Sequence, residues 1–421
     1  MTVKPLRLQF SKLNIYYVCK ILFLICVILN AAFGESVEMY QVSKLVILAF
    51  MCASLLYILM RRTVVLSYGL GLLLLTFTYW LMSLFWTPNQ SGATQMISTL
   101  FQLLLLCFFI LQAFDTEEPS SMYVYALYFA GFFLMAYALS RYGVSGFFTE
   151  LQSGERMGGD IANANSFGLV FAYAFIAGIY IYLYKRKNRL VLLGCAPQIV
   201  FALSSGSKKA IIAIAIGTAG LLFFRFGWRK LYKFVFWIAV AGVLFYFVLN
   251  LPIFSTTHDR LLSFLEGGNN FSDSIRSNMR KTGIELFLQR PIAGFGLAAF
   301  AEISGFGVYS HCNYTEQLAN GGIIGFGLYY SVYAYAIIKL VPQAIAKKNP
   351  AILLLILNGL RLMLDYGMVS YGGKASWILI GVTLSTIYTM EKGRDKHDFK
   401  NQESFDGPQE GAFGPISDAA D

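Results

Sequence analysis

Residues 99–114 read TLFQLLLLCFFILQAF, and this stretch decides the class of fold. It contains no charged residue, and its apolar residues form a nearly continuous run instead of alternating with polar ones. In lipid, only helices and closed barrels satisfy all their backbone hydrogen bonds, and a barrel strand would alternate. The stretch therefore predicts a membrane-spanning α-helix.

The rest of the sequence has the same character. Apolar types make up 57% of the 421 residues and charged types 13%, whereas a soluble globular chain usually carries about 25% charged residues. The mean hydropathy of +0.59 excludes a water-soluble, disordered or fibrous protein. In this context the net charge of +10 does not indicate a nucleic-acid partner. We predict an all-α polytopic membrane protein.

About 12 segments are apolar and long enough to cross a bilayer. They lie at roughly 15–33, 42–60, 64–85, 94–114, 122–140, 164–184, 190–205, 208–224, 231–251, 319–340, 351–371 and 374–390. The first is not expected to be a cleavable signal peptide, because Glu35-Ser36-Val37-Glu38 is a poor cleavage site. Residues 1–390 are predicted to form the transmembrane domain, and the polar tail 391–421 is predicted to be disordered.

The orientation follows from the basic residues of the short loops. With the N-terminus in the cytoplasm, most of the 33 Lys and Arg fall on the cytoplasmic side, and both termini are cytoplasmic. The acidic turn 115–118 also falls inside, but acidic residues count little in this rule. Two outer segments, 141–163 and 252–317, are too long to be simple turns, and the second is predicted to be a large extracytoplasmic loop.

The remaining cations need a separate explanation. Several lie at outer helix ends or in the two long loops, and Arg361 lies inside a span with Asp365 four residues later. Taken singly, such residues contact lipid headgroups or form a structural i,i+4 pair. Taken together, they favour a cationic pocket at the outer membrane face, for anionic headgroups or a lipid diphosphate. The group comprises Lys44, Arg141, Arg156, Lys208, Lys209, Arg260, Arg276, Arg280, Lys281, Arg290 and Arg361.

Residues 273–290, DSIRSNMRKTGIELFLQR, are predicted to form one amphipathic helix, capped by Ser272 or Asp273 and followed by Pro291. Its apolar stripe consists of Ile275, Met279, Leu286 and Phe287. Arg276 and Arg280 are four residues apart and project from one face, which suits a diphosphate because each Arg can bind phosphate oxygens bidentately. The alternative is an interfacial helix that binds lipid headgroups. The turn 291–296, PIAGFG, allows a close chain reversal.

His311 is one of three histidines and comes just before the tenth predicted span. A neutral imidazole there could take a proton from a hydroxyl near neutral pH. The alternative is a hydrogen-bonded surface residue, as we expect for His258 and His397. The Gly- and Asn-rich segment 141–165 leaves two interpretations open, a re-entrant wall of a substrate cavity and a plain exposed loop.

Metal, nucleotide and acyl-serine chemistry have no support in the sequence. No Asp-x-Asp pair, Glu/His cluster, P-loop or Gly-x-Ser-x-Gly motif occurs in the outer segments. The six cysteines form no Cys-x-x-Cys spacing and are interpreted as small apolar residues. We therefore predict neither a metal nor a cofactor.

Arg276, then PIAGFGLAAF at 291–300, then YSHCNYTEQLANGGIIGFGLYY at 309–330 resemble the O-antigen ligase and polymerase superfamily of bacterial envelope glycosyltransferases. Upstream, RMGGDIANANSFGLVFAY at 156–173 and SSGSKKAIIAIAIG at 204–217 resemble two further motifs of the superfamily. Two departures stand out. Lys208 replaces the usual Arg and so loses its bidentate fork, and Arg280 replaces a frequent aromatic residue.

The resemblance implies a metal-independent, cofactor-free enzyme with a GT-C-like architecture in the bacterial cytoplasmic membrane. It would transfer a glycan from undecaprenyl diphosphate to a sugar hydroxyl on the extracytoplasmic face, with inversion. The resemblance assigns His311 and Arg276 as catalytic residues. The diphosphate-binding set is Arg276, Arg280, Lys208, Lys209 and Arg156, and the supporting set is Asn313, Asn165, Arg361 and Asp365.

Three classes of function follow. The first is polymerisation of lipid-linked repeat units into O-antigen, capsular or exopolysaccharide, with the ligase that transfers O-antigen to the lipid A core of lipopolysaccharide as its sibling. The Ser-Gly-Ser-Lys-Lys helix start at 205–209 favours the polymerase. The second is a flippase, for which Arg361 and Asp365 would be the transport residues. The third is a non-catalytic scaffold. Expected partners are the undecaprenyl-diphosphate-linked oligosaccharide, membrane lipids, a chain-length regulator and a flippase.

Overall fold

The computed structural model describes residues 12–36, 38–153, 156–161, 163–265 and 271–405. Within these ranges the chain forms helices joined by turns, without β-strands, so the predicted all-α class is confirmed. The first nine helices are α1 (Lys12–Phe33), α2 (Tyr40–Arg61), α3 (Tyr68–Met82), α4 (Gln90–Ala113), α5 (Ser120–Ser153), α6 (Ala164–Tyr180), α7 (Arg189–Ser204), α8 (Lys208–Phe226) and α9 (Leu231–Leu249). The others are α10 (Ser255–Leu265), α11 (Phe271–Gln289), α12 (Ala299–Ile303), α13 (Asn313–Ile345), α14 (Asn349–Asp365) and α15 (Lys374–Phe405).

Polar side chains fix where several of these helices begin. The residue before the helix accepts a backbone N–H from its first turn at α3, α4, α6, α7 and α8. These N-cap residues are Ser67, Asn89, Asn163, Asn188 and Ser207. Each satisfies a donor that the helix itself cannot pair, which is costly to leave unpaired near lipid.

Nine of the described helices, namely α1–α6, α8, α9 and α13, are long and apolar enough to cross a membrane. The chain is therefore a polytopic membrane protein. Each of the predicted spans falls on a helix, but α7 has 16 residues, α14 has 17, and α15 continues into polar sequence. The number of about 12 crossings therefore stays a prediction.

The helices pack as a bundle with two aromatic-rich cores. α1 packs on α2 and α5, α6 packs on α5, α7 and α8, and α14 packs on α8 and α13. The larger core includes the fully buried Phe23, whose ring meets that of Phe114 edge-on at 4.8 Å between centroids. The smaller core surrounds Trp80, Tyr333 and Trp377, where α3, α13, α4 and α15 meet.

α9 lies at the edge of the bundle. It packs mainly on α8, and no part of its apolar stretch is buried inside the protein. Large apolar side chains such as Phe236 and Leu244 are therefore exposed. Such a surface is expected for a helix whose solvent is lipid.

The segment 252–317 is largely helical. The predicted helix 273–290 corresponds to α11, whereas the sequence did not predict α10 and α12, which are too short for a clear periodicity. The predicted stripe of α11 packs on α12 and α13, where Met279 and Leu286 are buried with Phe300 and Ala319. The proposed caps Ser272 and Asp273 lie outside the described side chains.

The turn 291–296 docks against an unwound turn of α13. Gly296 N–H donates to the Asn320 carbonyl at 2.7 Å, and Ile323 N–H donates to the Pro291 carbonyl at 2.8 Å. The helix opens at Gly322, whose φ of 58° and ψ of −162° suit only glycine. A side chain there would also meet the Ile292 carbonyl oxygen at 2.4 Å.

Over its described residues, the segment 141–163 is not a plain exposed loop, and the re-entrant wall stays a prediction. α5 continues to Ser153 with a kink at Gly143, whose φ is 69°. The following turn then packs on the α7–α8 connection, where Met157 N–H donates to the Ser204 carbonyl at 3.1 Å. The described residues of this segment therefore form a kinked helix and a packed turn.

The last helix extends into the polar tail. α15 continues to Phe405, and the disorder of 391–421 stays a prediction. The sequence there, EKGRDKHDFKNQESF, is polar but contains no proline, so a helix begun in the apolar part can continue. Residues 406–421 lie outside the described part of the chain.

We expect Gly322→Ala to lower stability by about 2 kcal/mol or more, because alanine is strained in this backbone conformation and meets the opposing turn. The matched control is Gly327→Ala in the same helix, where a side chain meets no atom within 4 Å. Thermal unfolding of the purified protein in nanodiscs measures the difference. Equal midpoints for the two variants would contradict the docked turn.

Candidate functional site

Cations from separate parts of the chain gather in one region. Lys209 belongs to the first turn of α8, Arg276 to α11 and Arg361 to α14, while Arg156 precedes α6. The charge of Lys209 lies within electrostatic range of those on Arg276, Arg361 and Arg156. We call these four residues the cationic cluster. Like charges repel, so the surrounding structure must hold them in place.

Lys209 connects α8 to the turn between α14 and α15, since its ammonium donates to the Gly367 carbonyl. The Ser207 hydroxyl caps the helix just before it. The family motif assigns the binding position to Lys208, which is half-buried beside Lys209. In the structure it is Lys209 whose charge acts on His311 and Arg276.

Arg156 is held by the start of α6 and by the α7–α8 connection. Its Nη2 donates to Asn165 Oδ1 at 2.9 Å, and its Nε donates to the Ser205 carbonyl at 3.0 Å. Asn165 therefore orients Arg156, and its supporting role at the site stays a prediction.

Arg361 and Asp365 form a buried ion pair inside α14. Nε and Nη2 of Arg361 each lie 3.1 Å from Asp365 Oδ1. The carboxylate also accepts the Ser370 hydroxyl at 2.6 Å and the Tyr330 hydroxyl at 3.0 Å. A buried charge pair is stable only when its remaining hydrogen-bonding capacity is also satisfied, and here several donors surround the carboxylate.

Asn313 links this ion pair to the segment that carries His311. Its amide donates to Asp365 Oδ2 at 3.1 Å, and its oxygen accepts the backbone N–H of Ser370 at 3.1 Å and of Tyr371 at 3.3 Å. Asn313 is fully buried. It therefore fixes the start of α13, two residues after His311, against the turn that follows α14.

His311 occupies a strained position. Its φ of 58° is unusual for a non-glycine residue, and its ring lies 4.5 Å from that of Tyr309. The neighbouring Ser310 N–H donates to the buried Glu316 carboxylate at 2.7 Å, which holds the loop in this conformation. Burial lowers the pKa of His311 below its ordinary value, and the charges of Arg276 and Lys209 lower it further. The imidazole is therefore neutral near pH 7.

Arg280 faces the same region from α11. Its guanidinium lies 5.0 Å from the ring centroid of Tyr366, the residue next to the carbonyl that accepts from Lys209. Both Arg side chains of α11 therefore reach the surroundings of the α14–α15 turn. The structure thus brings Arg276, Arg280, Lys209, Arg361 and His311 together, although they are far apart in sequence.

A cleft of about 1540 Å³ adjoins the cationic cluster, with Arg361 and Ser370 in its wall. Another part of the wall is the first half of α4, which presents a polar stripe at helical spacing. We call it the α4 stripe, and it consists of Gln90, Ser91, Thr94, Gln95, Ser98, Thr99 and Gln102. Further along α4 the lining of the cleft becomes apolar, with Leu103, Leu105 and Leu106.

The sequence analysis did not identify this cleft. Only the helical spacing of polar residues in an otherwise apolar span pointed to it, because polar side chains at membrane depth usually face a cavity. Glu35, Tyr40 and Lys374 also line the cleft. They come from turns and helix ends whose proximity depends on the tertiary structure.

The described residues contain no group of three or more His, Cys, Asp or Glu side chains that could hold a metal ion. The positive charge of the site comes from Arg and Lys side chains. Such groups can neutralise a phosphate ester or a diphosphate directly.

Residues 191–330 match the family model described as O-antigen ligase. The match supports the O-antigen ligase and polymerase superfamily for this chain. The matched segment runs from α7 into α13 and contains Lys209, Arg276, Arg280 and His311. The match supports a glycosyl-transfer enzyme of the ligase or polymerase type. Among curated proteins, none matches the chain.

We expect Asp365→Asn to destabilise the protein by about 3 kcal/mol, because it leaves Arg361 buried without its counter-charge. The matched control is Glu391→Gln, which breaks the half-exposed Lys339–Glu391 pair of 2.8 Å and should cost less than about 1 kcal/mol. Thermal unfolding in nanodiscs compares the two. Similar small losses would show that the Arg361–Asp365 pair does not stabilise the site.

Proposed function

We propose that the protein transfers a glycan from undecaprenyl diphosphate to a sugar hydroxyl, and that it polymerises lipid-linked repeat units into O-antigen, capsular or exopolysaccharide. The observation that carries the proposal is the cationic cluster beside His311. Of these residues, Lys209, Arg276 and His311 belong to the segment that matches the O-antigen ligase family. The site would face the extracytoplasmic side of the bacterial cytoplasmic membrane, with both termini in the cytoplasm.

The cations would bind and stabilise the diphosphate. Arg276 and Lys209, with Arg280 and Lys208 close by, provide charge-assisted donors for its oxygens. During transfer the bond between the anomeric carbon and the diphosphate oxygen breaks, and negative charge grows on the leaving group. Fixed cations in a poorly solvated site stabilise that charge better than water does.

His311 would act on the acceptor. Its imidazole is neutral, so one ring nitrogen can accept the proton of the acceptor hydroxyl as the oxygen attacks the anomeric carbon. The new glycosidic bond forms on the face opposite the departing diphosphate, so a single displacement inverts the anomeric configuration. The proton ends on the imidazole and the electron pair on the diphosphate.

The polymerase differs from the ligase only in its acceptor, a second lipid-linked unit instead of the lipid A core. The start of α8, Ser-Gly-Ser-Lys-Lys, supports the polymerase. A flippase remains the second candidate, because Arg361 lines the cleft. The pairing of Arg361 with Asp365 inside one helix supports a structural role for these residues instead.

We expect Arg276→Ala and His311→Ala each to abolish chain extension by the purified protein, because one loses leaving-group stabilisation and the other the proton acceptor. The assay uses the undecaprenyl-diphosphate-linked repeat unit and scores a ladder of longer lipid-linked products. Lys281→Ala, an exposed change on the same helix as Arg276, is the matched control and should keep the ladder.

A ladder from either site variant would show its assigned role to be wrong. Transfer by the wild type only onto lipid A core would favour the ligase. Movement of the lipid-linked unit across vesicles without any ladder would favour the flippase.

We expect the rate of extension to fall on acidification only below pH 6.5, the ordinary pKa of histidine. The lowered pKa of His311 keeps the imidazole neutral at a pH where an unperturbed histidine would already be half protonated. A pH profile of the wild type measures this, with His258→Ala as a control that leaves the profile unchanged. An acidic limb of the rate profile at or above pH 6.5 would contradict the assignment of His311 as the base.

A further inference from the structure

The cleft carries a second pair of cations apart from the cationic cluster. Lys44 of α2 and Lys374, the first residue of α15, both line it. The Lys374 ammonium lies 4.4 Å from the ring centroid of Tyr40, and the Lys44 ammonium lies 4.6 Å from the same centroid. One aromatic ring therefore contacts two positive charges.

Lys374 lacks a counter-charge among the described residues. Its ammonium is buried and has no hydrogen-bond partner there. Its charged neighbour is Lys44, which repels it, and its other electrostatic neighbours are Tyr40 and Cys26. A buried ammonium without a partner is costly, and at a cavity wall it marks the place of an anionic ligand. The long side chain can rotate from beneath Tyr40 into the cleft.

Glu35 does not neutralise this pair. It lines the same cleft, but its charge acts on Lys209 of the cationic cluster. The nearby Glu38 accepts the Tyr137 hydroxyl at 2.5 Å and lies 3.5 Å from Arg141. The acidic residues closest in sequence to Tyr40 are thus engaged elsewhere.

The α4 stripe, which forms part of the wall of the same cleft, suits a carbohydrate. The α4 stripe offers hydroxyl and amide groups, and most of its side chains are exposed. Such groups pair with sugar hydroxyls, while the Tyr40 ring can stack on a sugar face. Along α4 the lining is polar as far as Gln102 and becomes apolar from Leu103, and Ile47, Leu48 and Met51 of α2 add further apolar lining, so the polar wall adjoins an apolar part of the cleft.

We propose that Lys44, Lys374 and Tyr40, with the α4 stripe, form a glycan subsite that selects repeat units carrying a carboxylate, such as a uronic acid. A carboxylate has two oxygens, so one can face each ammonium. The inference rests on the proposed function and deepens it by naming the class of glycan. The diphosphate remains with the cationic cluster.

The experiment compares two probes on the full chain in nanodiscs. They are the undecaprenyl-diphosphate-linked repeat unit isolated from the source cells and the same unit after chemical reduction of its carboxyl groups to alcohols. Native mass spectrometry measures binding, and the ladder assay measures extension. We expect the wild type to bind the native unit about tenfold more tightly than the reduced one, as for one charged hydrogen bond.

Lys374→Gln should weaken binding of the native unit to the level of the reduced unit, and leave the reduced unit unaffected. Lys374→Arg, which keeps the charge, should restore discrimination. Lys44→Gln changes an exposed position and should reduce the discrimination between the two probes. It takes the place of Lys374→Gln in the experiment if that variant does not fold. The matched control is Lys187→Gln, on an exposed turn between α6 and α7, at the end of α6 away from the cleft.

The subsite would be overturned by equal binding of both probes to the wild type or by a repeat unit that contains no carboxylate. It would also be overturned if Lys374→Gln weakened the binding of both probes equally. If the protein makes a ladder but does not discriminate between the two probes, the subsite is wrong and the proposed polymerase is unaffected. Discrimination in binding without a ladder would support the subsite and count against the polymerase.

Discussion

Mutual repulsion among Lys209, Arg276, Arg361 and Arg156 is the constraint on which the structure of the site depends. The fold opposes it with a buried ion pair at Asp365, with the Gly367 carbonyl for Lys209 and with the Asn165 side chain for Arg156. These partners hold the cations close to one another before any ligand arrives. A site built this way stabilises an added diphosphate without first reorganising, which is the physical basis of electrostatic catalysis.

The same contacts explain why His311 is near the cations. Asn313 binds both Asp365 and the turn after α14, so the network that neutralises Arg361 also fixes the start of α13. The left-handed backbone of His311 and the docked turn at Gly322 lie on either side of that point. Strain in the backbone is therefore retained at His311, the residue that we propose as the proton acceptor.

Much of this was predictable because the bilayer imposes strong rules on sequence. Apolar runs predicted a helix at each span, and the amphipathic pattern of residues 273–290 predicted α11. The sequence placed Lys209 in the diphosphate-binding set but could not show that its charge acts on both Arg276 and His311, since the three residues come from separate parts of the chain. Nor could it reveal the cleft, because Tyr40, the α4 stripe and Lys374 belong to different helices.

A structure of the protein bound to an undecaprenyl-diphosphate-linked glycan is the most direct test of this account. We predict that the diphosphate lies within hydrogen-bond distance of Arg276 and Lys209, with the anomeric carbon on the side of His311. A diphosphate bound elsewhere, or an anomeric carbon that faces away from the imidazole, would contradict the account.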